Sequence, residues 1–192
     1  MKQLESFFWG ILAALGALLF EFIAFLIVSM YQTAPNYSAA DFMAFPAMLI
    51  LAAALEEIMK LIVINNRVET YSLYRSFVFN SICVGLGFAA TEIFFIKEFS
   101  LPGARDLHSL TMIALVHVST SAYIGYRVAI KARKTAWFYV STLAIAALMH
   151  IFYNGIIWTN HELSPIISTI YACFLAFLGI IFLIRVKAKL AQ

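Results

Sequence analysis

Six apolar runs, each long enough to cross a lipid bilayer, occupy most of this 192-residue sequence, at residues 7–30, 42–64, 76–96, 109–130, 137–158 and 165–184. A helical span needs about 20 mainly apolar residues. In hydrocarbon every backbone N–H and C=O must find its partner within the protein, so runs of this kind fold as helices. Hydrophobic residues make up 64% of the chain and charged residues 12%, where a soluble domain has about half and about a quarter. That excludes a soluble globular domain, a disordered chain and a nucleic-acid binder. The expected fold is all-α: a polytopic membrane protein, one integral membrane domain over residues 1–192, built as a bundle of about six transmembrane helices. The first run exceeds the h-region of a cleaved signal and carries Glu21, so it reads as a retained helix. Cys83 and Cys173 lie inside apolar runs, where cysteine acts as a small hydrophobe.

The pieces between the runs, 31–41, 65–75, 97–108, 131–136 and 159–164, hold the turn-forming and charged residues. Their cations are unevenly shared. With the N-terminus inside, the inner segments carry ten: Lys2, Arg67, Arg75, Arg127, Lys131, Arg133, Lys134, Arg185, Lys187 and Lys189. The outer segments carry Lys97 and Arg105. Cytoplasmic loops are enriched in Lys and Arg, so both termini are expected in the cytoplasm. Trp137, Trp158, Tyr31 and Tyr153 fall near run ends, where amphipathic rings favour the membrane interface.

Seven ionisable residues stand inside the runs: Glu21, Glu56, Glu57, Lys60, Glu92, His117 and His150. A charge at mid-membrane costs about 2.5–3.5 kcal/mol on the insertion scale, and such residues mark functional sites by default. Spacing shows how they could meet. Glu56 and Lys60 are four apart on one helix face, and Glu57 is three from Lys60. Glu92 follows Phe88 by four, Ser121 follows His117 by four with Thr120 beside it, and Asn154 follows His150 by four. Runs two to five thus each present a polar or aromatic–acid pair within one turn, which predicts a shared polar pocket at mid-depth or somewhat outward. Gly85, Gly87, Ala89 and Ala90 let backbones approach closely and would bring Glu92 to its partners. Two adjacent carboxylates do not both ionise cheaply, and one so poised serves as a general base. Two imidazoles with three carboxylates suit a divalent ion such as Zn²⁺ or Mn²⁺. Asn154 can donate to a developing oxyanion. Glu21 has no neighbour at helical spacing and reads as structural or lipid-facing. His108 and His161 fall in outer segments and read as solvated.

Together, Glu-Glu-Ile-Met-Lys at 56–60, Phe-Ala-Ala-Thr-Glu at 88–92, His117 with Ser121, and His150 with Asn154 resemble the PrsW family of intramembrane proteases, part of a wider group with the CAAX-prenyl proteases and bacteriocin-processing membrane proteins. The matching pieces run from Glu56 to Asn154, in order and on successive helices. The CAAX branch would carry His at Glu92 and Arg at Lys60, so both positions point to PrsW and away from prenylated substrates. The resemblance implies an intramembrane endopeptidase in a prokaryotic plasma membrane, acting on a membrane-anchored protein. In the best-known members that protein is an anti-sigma factor cut on its outer side. The residues expected to carry the reaction are Glu56, Glu57, Glu92, His117, His150 and Asn154. In one version Glu92, His117 and His150, with Glu57, hold Zn²⁺ or another divalent ion while Glu56 is the base. In the other, glutamate and histidine act without metal. Two rivals remain from the residues alone. Buried Glu, His and Lys also build proton relays in transporters, and a noncatalytic protein on the same fold would tolerate loss of Glu56 and Glu57.

Overall fold

The computed structural model describes residues 2–31, 46–71, 76–99, 106–131, 134–159 and 161–189. Among them it contains six long helices: α1 (Lys2–Tyr31), α2 (Pro46–Val63), α3 (Phe77–Phe99), α4 (Leu107–Ile130), α5 (Ala136–Trp158) and α6 (Ser164–Lys189). Each coincides with one of the six apolar runs. Five of them, all but α2, are long and apolar enough to cross a membrane. α2 differs because three of its 18 residues are Glu56, Glu57 and Lys60.

Helix ends follow local chemistry. Asp106 caps α4 by accepting the Ser109 N–H at 2.9 Å, and that backbone hydrogen bond holds its carboxyl below the usual range. Thr135 caps α5 through the Phe138 N–H at 3.3 Å. The segment 65–75, expected as a connection, is helical up to Tyr71: α2 continues through a π-helical turn (Ile64–Val68) into Glu69–Tyr71. Side chains from other helices meet the widened turn. The Tyr139 hydroxyl donates to Asn65 Oδ1 at 3.3 Å, the Arg67 guanidinium stacks on Trp9 at 4.6 Å, and Lys134 pairs with Glu69. These contacts hold the turn once helical geometry gives way. The expected segment 31–41 lies outside the described residues except for Tyr31.

α4 is the most enclosed of the five spans, and α1 and α6 leave most of their surface outward. α1 packs on α3 and α2, α3 on α4, α4 on α5 and α6, and α2 on α5. Glycine sets the tightest of these approaches. A Cβ on Gly10 would lie 2.1 Å from the Val84 carbonyl oxygen, and one on Gly87 would lie 2.0 Å from that of Phe7, so α1 and α3 touch backbone to backbone. Gly85 does the same for α3 and α4: its Cβ would lie 2.6 Å from the His117 carbonyl oxygen. Close approach through small residues is how membrane helices gain packing where lipid offers no hydrophobic drive.

Gly85→Val therefore forces apart the two helices that carry Glu92 and His117. We expect a destabilisation of about 1–3 kcal/mol, the usual range for overpacking, seen as a lower unfolding midpoint in detergent. An unchanged midpoint would mean that the two backbones are not in contact.

Candidate active site

The polar residues of α2, α3, α4 and α5 converge. Glu57 and Lys60, one turn apart on α2, are both fully buried. An ammonium has three N–H donors, and Lys60 uses three partners: Glu57 Oε1 at 2.6 Å, His117 Nδ1 at 2.9 Å and Thr120 Oγ1 at 3.1 Å. Its charge also sits 4.7 Å from the Phe88 ring centre, and Phe88 stacks on His117 with centroids 5.0 Å apart.

These contacts assign the tautomers. Lys60 can only donate, so His117 Nδ1 accepts. The His117 proton then lies on Nε2 and is donated to Glu92 Oε2. His150 Nδ1 lies 2.9 Å from Glu57 Oε1. Glu57 already accepts from Lys60, so His150 Nδ1–H is the donor and Nε2 carries the lone pair in the neutral ring. The two imidazoles meet edge to face at 5.0 Å. Each thus gives one N–H to a carboxylate, as metal-ligating histidines do; His150 Nε2 keeps its lone pair, and His117 Nδ1 shares its lone pair with Lys60.

Glu56 completes the group. Its Oε2 lies 3.6 Å from His150 Nδ1 and 3.9 Å from His117 Nδ1, and it is buried without a hydrogen-bond partner among the described residues. Glu56, His117 and His150 each offer a ligand atom within 4.8 Å of the others, a spacing that could hold a metal ion. An orphaned carboxylate oxygen beside two imidazoles fits a divalent ion such as Zn²⁺ by donor chemistry. Of the Glu-Glu pair, Glu56 is the member in this three-residue group. Glu57 Oε1 accepts from Lys60 and His150 and Glu92 Oε2 from His117; Glu57 Oε2 and Glu56 Oε2 are both buried without a partner among the described residues, and Glu56 Oε2 faces both rings.

A cleft of about 490 Å³ reaches this group from the half of the bundle nearest the C-terminal ends of α1, α3 and α5. Glu56, Glu92, Tyr153 and Asn154 line it, with apolar residues such as Leu49, Ile113 and Trp158 around them. Asn154 stands one turn beyond His150, as its spacing predicts. Glu56 lies near the middle of the described helical stretch from Pro46 to Tyr71. Ser121 is buried against Gly85 rather than in the cleft.

The lipid-facing reading of Glu21 is corrected by its position. It lines the cleft and a smaller cavity beside it, with Glu56 and Glu92 in both. Its partners come from α2 and α3 through the packing of α1, so helical spacing could not show them. The one signal available was a carboxylate inside an otherwise apolar run.

The transporter reading loses its support. α3 runs unbroken through Gly85 and Gly87. A family model described as PrsW family intramembrane metalloprotease matches residues 3–184. Comparison with the curated proteins and with the solved structures returned no match.

Proposed function

We propose that this chain, which belongs to the PrsW family of intramembrane metalloproteases, hydrolyses a peptide bond of a membrane-anchored protein in the cleft above Glu56, His117 and His150. The observation that carries the reading is the buried, unpartnered Glu56 oxygen facing two imidazoles that are each fixed by a second carboxylate. Glu56, His117 and His150 would hold the family's divalent ion. Bound there, the ion would supply Lewis-acid polarisation of the scissile carbonyl and make water more acidic.

The chain's own groups do the rest. Glu92 and Glu57 keep the rings of His117 and His150 in the required tautomers. Lys60 keeps Glu57 ionised. A locally unwound substrate segment enters the cleft, and the apolar lining shields it from bulk water. Water adds to the peptide carbonyl carbon while its proton passes to a carboxylate of the chamber. The C–N bond then breaks, and that proton goes to the leaving amine. Asn154, one turn from His150 and lining the cleft, would donate to the oxyanion.

A metal-free version has one observation in its favour. Lys60 already places a cation between Glu57 and His117 and covers the His117 Nδ1 lone pair. In that version Glu56 takes the proton. The cation asymmetry between the loops supports a cytoplasmic N- and C-terminus in a plasma membrane. It would open the cleft on the outer face, where the resemblance expects an anti-sigma factor or another single-pass protein to be cut.

The test is cleavage of a single-pass substrate in proteoliposomes by wild type, Glu56→Gln and His150→Ala, with and without chelator. Cleavage is expected to fall by about 10³-fold or more in both variants, since general-base and oxyanion groups each contribute about 10²–10⁴. Loss on chelation and return with Zn²⁺ would support the metal version. Equal cleavage by all three proteins would end the proposal.

A further inference from the structure

Beside the cleft lies a small cavity bounded by α1, α2 and α3. Ala14 and Ala17 on α1 are almost fully buried there, and their short side chains let α1 close over Phe88. The cavity leaves about 20 Å³ for water centres, where a single water needs about 10–15 Å³ and two to four polar partners. Its polar lining consists of three carboxylates, Glu21, Glu56 and Glu92. Glu21 Oε1 is buried with no hydrogen-bond partner among the described residues. Glu92 is engaged by His117, and Glu56 faces the two imidazoles.

Glu21 Oε1 and Glu56 Oε2 receive no hydrogen bond from the described residues, and a carboxyl oxygen without a proton is an acceptor. A water molecule brings two O–H donors and can bridge Glu21 to Glu56. Hydrolysis inside a membrane also needs water held away from lipid and close to the reacting carbonyl. We propose that Glu21 holds the hydrolytic water, its Oε1 accepting a hydrogen bond from that water in the cavity shared with Glu56 and Glu92. The inference rests on the protease reading and applies to both its metal and metal-free versions. It assigns Glu21 a task that Glu57 and Glu92, each committed to a histidine, do not perform.

The experiment compares wild type with Glu21→Gln, Glu21→Ala, Glu21→Leu and Glu56→Gln, in proteoliposomes on a substrate that the wild type cleaves. Glutamine keeps an acceptor oxygen at the same place and should retain kcat within about tenfold. Alanine and leucine remove the acceptor and should lower kcat by about 100-fold, within the usual span for a positioned proton-handling group, with KM little changed. Formate, which restores a small carboxylate in the space left by Glu21→Ala, should recover at least part of the lost kcat and should not help Glu21→Leu, whose side chain fills that space. An ordered water on Glu21, seen in a high-resolution structure of the wild type and missing in Glu21→Leu, is the readout independent of turnover. Unchanged kcat in Glu21→Ala with Glu56→Gln inactive would overturn this inference alone. So would glutamine as damaging as alanine, no rescue by formate, or a wild-type structure without that water. Full activity in Glu56→Gln would overturn the protease site and this inference with it.

Discussion

Replacing Lys60 with Met is expected to cost about 3–5 kcal/mol of stability, the range for breaking a buried ion pair by removing one partner. Lys60 and Glu57 are both fully buried, so the substitution leaves a carboxylate inside the bundle with no counter-charge and only a hydrogen bond from His150. It also withdraws the donor from His117 Nδ1 and from Thr120. The His117 tautomer then loses its lock, and its hydrogen bond to Glu92 becomes one choice of two. Combining Lys60→Met with Glu57→Gln should recover part of the loss, because a neutral amide tolerates burial better than a lone carboxylate. Unfolding midpoints of the two single variants and the double variant in detergent give the coupling directly. Additive effects would contradict the ion pair.

The second large effect concerns the imidazoles. His117→Ala and His150→Ala should each abolish stoichiometric divalent-metal binding and lower cleavage by about 10³-fold or more. Glu92→Gln should be milder. It keeps a hydrogen-bond partner for His117 Nε2 but loses the charge, and outer partners of metal-ligating histidines are worth about 10–100-fold in affinity or activity. Metal content after dialysis, measured with cleavage on the same protein, tests the order. An intact metal site in His117→Ala would contradict it.

Most of the bundle was legible because lipid leaves a chain few choices. Runs of about 20 apolar residues have to be helices, and α4 and α5 begin within about two residues of where their runs do. The end of α2 was not legible. Asn65, Asn66 and Arg67 look like a polar connection, but Tyr139 and Trp9 from other helices hold them in a helical turn. The same distinction divides the site. Glu56, Lys60, Glu92, His117 and His150 declare themselves as ionisable groups in apolar runs, and their i, i+4 neighbours point to a shared pocket. The division of labour within Glu56 and Glu57 depends on which one faces Lys60 and His150, and adjacent residues about 100° apart on a helix do not reveal that. Glu21 was missed for a related reason. It reaches the chamber through the backbone contact of Gly10 and Gly87, a tertiary event with no local periodicity. His108 and His161 fall outside the chamber, as their segments suggested. The His108 ring pairs with the Thr169 hydroxyl, and the His161 ring accepts the Leu163 N–H.

A single preparation of wild type and His150→Ala, assayed together for bound divalent metal and for cleavage in proteoliposomes, tests the account most directly. One ion per wild-type chain, with ion and cleavage both lost in the variant, is the predicted result. Undiminished cleavage by His150→Ala would contradict it.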